Sequence, residues 1–139
     1  MKPFLVYTKV FLILVFCASC ANLDTVATAP TTTGISRNFS DDHELIKAAV
    51  LASMQNLNIN IKSSKQTPDG FIILFTKAIS AFSWGEVGRV LVSKVDNNNS
   101  TVFVHSNKRY QLQITGSEEE DFAEAIFQGV TEILEKKKK

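Results

Sequence analysis

The chain has 139 residues, 45% hydrophobic and 21% charged, which is enough for one small domain besides any targeting segment. Its 15 basic and 14 acidic groups give a formal charge of +1; the first 19 residues hold Lys2, Lys9 and no acid, so removing them leaves −1. A near-neutral chain without a sustained basic face is not built for nucleic acid, and the apolar stretch Val10 to Phe16 falls far short of the roughly 20 residues that span a bilayer, which excludes a multi-pass membrane protein.

Lys2 and Lys9 flank a short n-region, Val10 to Phe16 forms an apolar h-region, and Ala18 and Ser19 supply small residues before Cys20, so residues 1–19 read as an export signal. The run Cys17-Ala18-Ser19-Cys20 resembles the lipobox of bacterial lipoprotein signal peptides, in which the last Cys is lipidated. It differs from that pattern at Cys17, where the family usually has Leu. The resemblance implies acyl chains of the palmitate kind on Cys20; two or more hold stably, so the anchor would be permanent. After cleavage at Cys20 no second Cys remains to form an intrachain disulfide. The competing reading is an ordinary secretory signal cleaved near Ala18 to Ala21, with Cys20 left as a thiol. Ala21, which is not Asp, implies sorting to the outer membrane, facing the periplasm, if the source is Gram-negative. From Ala21 to Asn38 the chain is rich in Thr and Ala with little periodicity and is expected to be a flexible linker with an r.m.s. reach of about 23 Å. The expected division is therefore signal peptide (1–19), lipidated Cys and linker (20–39), and one domain (40–139).

Ser40 to Glu44 offers cap-type residues and acids, and Ile46, Ala49, Val50, Ser53 and Leu57 follow at helical spacing, which predicts a helix over 41–56. Leu57, Ile59 and Ile61 then alternate with polar residues as in a half-buried strand. Thr67-Pro68-Asp69-Gly70 is a turn, because Pro presets φ and Gly accepts positive φ, and it leads into the apolar run Phe71 to Phe75, a second strand. Beyond a loop at Ser80 to Glu86, the segments 87–95 and 101–105 are rich in β-branched residues and make a hairpin across Asp96 to Ser100. Tyr110, Leu112 and Ile114 alternate as a fifth strand. Ser117 and Glu120 form a capping box for a last helix whose apolar face runs from Phe122 to Leu134 and ends in Lys136 to Lys139.

The predicted order α-β-β-β-β-β-α needs no parallel crossover. It is an α+β fold, an antiparallel meander sheet with the N-terminal and C-terminal helices on one face. The opposite face is expected to carry Asn58, Asn60, Lys94, Gln111 and Gln113. As a whole the pattern resembles small bacterial lipoproteins with an uncharacterised α+β periplasmic domain.

Chemistry is sparse in the sequence. His43 and His105 lack partners at metal-ligand spacing, and Glu118 to Asp121 lacks the alternating oxygens of a calcium loop, its charge being accounted for by the helix dipole. No nucleophile elbow or phosphate loop is present, so neither a catalytic residue, a metal site nor a cofactor is assigned. Phe82 and Trp84 fall in the expected loop, where aromatic residues either cap the core or anchor a partner, and Lys108, Arg109 and Tyr110 form a second polar and aromatic cluster. The expectation is a non-enzymatic, lipid-anchored accessory or scaffolding lipoprotein of the envelope with a protein partner. The alternative is a carrier or sensor that holds a small apolar ligand between sheet and helices, near Phe71, Phe75, Phe122 and Phe127.

Overall fold

The structure, a computed structural model, describes residues 22–78, 85–108 and 119–139. It opens with a short helix, α1 (Leu23–Thr28), capped by Asn22, whose side chain accepts a hydrogen bond from Thr25 N. The turn at Pro30 to Thr33 and Gly34 lead into β1 (Ile35–Phe39). At Gly34 φ is +107°, and a Cβ there would lie 2.2 Å from the Val104 carbonyl oxygen, so only glycine fits the entry to this strand. The stretch expected as a flexible linker is thus built into the domain from Asn22 onward.

Asp42 caps α2 (His43–Asn56) by accepting from Glu44 N and Leu45 N, as the cap-type residues there predict. The predicted strand from Leu57 starts later. Leu57 is the C-cap of the helix and Asn58 takes φ 53°, a left-handed conformation its short polar side chain tolerates. Only then does β2 (Asn60–Thr67) begin, and the Pro68-Asp69 turn joins it to β3 (Gly70–Lys77). The second hairpin consists of β4 (Glu86–Lys94) and β5 (Ser100–Lys108). Glu86, expected in a loop, is instead the first, buried residue of β4. The last helix, α3 (Glu119–Lys137), carries its acids in the first turn and lysines in the last, matching its dipole. The strand expected at Tyr110 to Ile114, Ser117 of the capping box, and residues 80–84 lie outside the described residues.

The five strands form one antiparallel sheet in the order β1-β5-β4-β3-β2, an α+β fold with one open sheet. Among the described residues β1 lies at the edge of the sheet beside β5, and it is a strand the sequence pattern did not predict. Period-2 alternation sends Ile73, Phe75, Val90, Val92, Val102 and Val104 to one face, where α2 and α3 close the main core with Ile46, Val50, Met54, Ile126, Phe127 and Val130. The two helices meet where Gly129 faces Ser53, whose hydroxyl donates to the Ile126 carbonyl at 3.0 Å.

The opposite face was expected to be polar and open. It is covered in its middle by α1, whose Val26 is fully buried, and carries the buried side chains Val87, Arg89 and Leu91. Asn60 remains exposed at its margin, whereas Lys94, at the end of β4, alternates to the side of Val90 and Val92 and is exposed there.

Candidate functional site

The alternation of β4 decides what lies under α1. Val87, Arg89, Leu91 and Ser93 point away from the main core, and among them Arg89 is a guanidinium only 1% exposed in the middle of an apolar strand. Its Nη1 donates to the Ala29 carbonyl at 2.6 Å and its Nη2 to the Pro30 carbonyl at 2.7 Å. The first belongs to the C-cap of α1, where a helix leaves carbonyls unpaired and favours a cation, and the second, one residue on, also accepts from Thr33 N at 2.9 Å. Burial pushes the Arg89 pKa down from its ordinary value, and Nε has no hydrogen-bond partner. An arginine inside the run Val87-Gly-Arg-Val-Leu-Val92 was the sequence signal for this clamp: a cation so placed must find acceptors.

Beyond the clamp the same face opens into a cleft of about 480 Å³. Its floor is Leu91, Ser93 and Phe103; Thr31 and Thr32, which follow the clamped carbonyls, form one wall; Pro68, Asp69 and Gly70 of the β2–β3 turn form the other. The cleft reaches around the end of the sheet to His43 in the first turn of α2, and Lys94 stands at its rim. The His43 Nδ1 is buried without a hydrogen-bond partner. Neither Asp69 nor Lys94 makes an ion pair or a side-chain hydrogen bond among the described residues. The sequence shows these residues only as a helix start, a turn and a strand end; their convergence depends on the pairing of β3 with β4 and on the placement of residues 31–32, neither of which has a local signature.

The histidines do not meet. His105, on β5, places Nδ1 2.7 Å from Glu119 Oε1, and the same oxygen accepts from Ser106 N at 3.0 Å, which ties the first turn of α3 to the strand. Among the described residues no group of three His, Cys, Asp or Glu is arranged to hold a metal ion, and no helix is long and apolar enough to cross a membrane. Of the residues singled out from sequence, Lys108 ends β5 opposite Glu86. Cys20, Phe82, Trp84, Arg109 and Tyr110 lie outside the described residues. The aromatic residues expected to border a ligand space pack into the core: Phe75 stacks on Phe122 with ring centroids 5.2 Å apart, Phe127 lies against Phe39, and Phe71 sits under the Lys47 ammonium.

In comparisons with known proteins, no family model matches the chain and no curated protein shows significant similarity to it.

Proposed function

We propose that the protein is a non-enzymatic, lipid-anchored accessory or scaffolding lipoprotein of the bacterial envelope, held to the outer membrane by acyl chains on Cys20 and facing the periplasm. The observation that carries this reading is the run Cys17-Ala18-Ser19-Cys20 behind an apolar h-region, a lone cysteine once the signal is removed. Two positions after Cys20, at Asn22, the described residues open with α1 packed on the sheet. In this reading the domain rides close against the lipid head groups, and an envelope protein partner is met by Phe82 and Trp84 and by the cluster at Lys108, Arg109 and Tyr110.

Metabolic labelling with a fatty acid, combined with membrane fractionation, tests the anchor. The wild type incorporates label and sediments with membranes. Cys20→Ser abolishes the label, releases the domain from acyl anchorage and leaves the precursor uncleaved by the lipoprotein peptidase. An unlabelled wild type overturns the reading.

A further inference from the structure

The cleft between residues 31–32 and the β2–β3 turn combines an apolar floor with charges of both signs. Phe103, Leu91 and Pro68 supply a surface for a hydrocarbon side chain, and the carboxylate of Asp69 and the ammonium of Lys94 border it. The register of β3 on β4 pairs Phe71 with Val92, and Gly70 lies tight against the Val92 carbonyl and Ser93 Cα, so the turn holds Asp69 beside the end of β4 that carries Lys94. Two opposite charges on one cleft normally satisfy each other, yet these are not within the 4.0 Å of an ion pair. Lys94 also acts electrostatically on Asp96, whose carboxylate is bonded to Asn98 and Asn99. The cleft also holds His43 Nδ1, buried and without a hydrogen-bond partner. A buried unpaired ring nitrogen costs free energy that a ligand amide or carboxylate would recover.

We propose that this cleft binds a zwitterionic ligand of the size of a free dipeptide, with its ammonium on Asp69, its carboxylate toward Lys94, and its side chain on Phe103 and Pro68. A simple anion would leave Asp69 facing it as a like charge, and a neutral ligand would leave both charges unanswered. The volume lies in the lower part of the roughly 300–1,000 Å³ range of small-molecule sites, which suits a dipeptide and not a long chain. The site is independent of Cys20 and of any acyl anchor.

The test is a titration of the isotope-labelled full chain in detergent micelles with L-alanyl-L-phenylalanine, followed by nuclear magnetic resonance. Expected are saturable shifts at the amides of Thr31, Gly70, Ser93 and Lys94 and at the His43 ring nitrogen, with half-saturation near or below about 1 mM. The N-acetylated, C-amidated form of the same dipeptide binds at least about tenfold more weakly, and so does the free dipeptide to Asp69→Asn or Lys94→Gln. Both positions are exposed, so these variants keep the dispersed spectrum of the folded chain. The proposal is overturned by the absence of saturable shifts up to about 20 mM, by equal affinity for the blocked dipeptide, or by unaltered binding to both variants. A neutral disaccharide that produces the same shifts at lower concentration also overturns it.

Discussion

Arg89 in the middle of β4 and Asp96 in the turn that follows it, seven positions on, show how differently a charge is held inside and outside the molecule. The guanidinium is surrounded by protein and bonded to two carbonyl oxygens; its removal leaves the Ala29 oxygen unpaired, the Pro30 oxygen with only its turn bond from Thr33 N, and a void beneath α1. Arg89→Ala is therefore expected to lower unfolding free energy by about 2 to 4 kcal/mol. Arg89→Met, which keeps the volume and sheds the desolvated charge, loses less; urea titration of both variants measures the difference. Asp96 is fully exposed and accepts from the Asn99 side-chain amide and from Asn98 N, which hold its pKa below the usual carboxylate range, the Asn99 bond contributing most. A carboxyl group whose folded value is depressed stabilises fully above its unfolded pKa and loses that contribution as pH falls through the folded value. The β4–β5 turn accordingly keeps its structure through ordinary carboxylate titration and gives way only in stronger acid. The Asn98 amide shift should titrate with a midpoint below that of an unstructured Asp.

The helices illustrate what local pattern reveals. α2 and α3 were legible because apolar residues recur every three or four positions, and the hairpins because β-branched runs flank turn residues. β1 escaped detection although Ile35 and Phe39 share the core face, because the residue between them on that face is Arg37. Its guanidinium lies over the Phe127 ring and bonds Glu124 at 2.6 Å, so a charged side chain occupies an inward position through contacts 87 residues away in sequence. In α1 a single buried residue, Val26, is no period at all. The cleft was hidden for the same reason as β1, since its members are assembled by pairing between distant segments. Where α2 crosses α3 the contact depends on one missing methyl group. A Cβ at Gly129 would stand 2.2 Å from Ser53 Oγ and 3.0 Å from Ser53 Cβ. Helix propensity alone would make Gly129→Ala stabilising by about 1 kcal/mol. Overpacking, at roughly 1 to 3 kcal/mol, is expected to outweigh it. Thermal unfolding should show a net loss, partly recovered when Ser53→Ala is added; a gain in the single variant would mean the helices do not approach as closely as described.

Across the whole molecule, stability is distributed by position in the sheet. β4 has a partner strand on each side and one face on the main core, whereas among the described residues β2 pairs only with β3, is interrupted between Ile61 and Ser63, and is exposed along most of its length. Lysines 62 and 65 and the irregular register make β2 a poor template for another strand, as edge strands of monomeric proteins often are. Native-state hydrogen exchange should rank the strands: outward-facing amides of β2 exchange fastest, those of β1 are intermediate, and those at Val90 to Val92 exchange only on global opening. Equal protection of β2 and β4 would contradict the strand order.

The bonds from Arg89 to the end of α1 also have a mechanical meaning. A pull on the chain ahead of Asn22 would otherwise reach the sheet at β1, an edge strand that can be peeled from β5 one hydrogen bond at a time. The two bonds to Ala29 and Pro30 intercept the load before it arrives there and pass it to β4, an inner strand held on both sides. Force is then borne by many ladder bonds together, and the domain behaves under tension as a stiff block whose first point of yield is a single arginine.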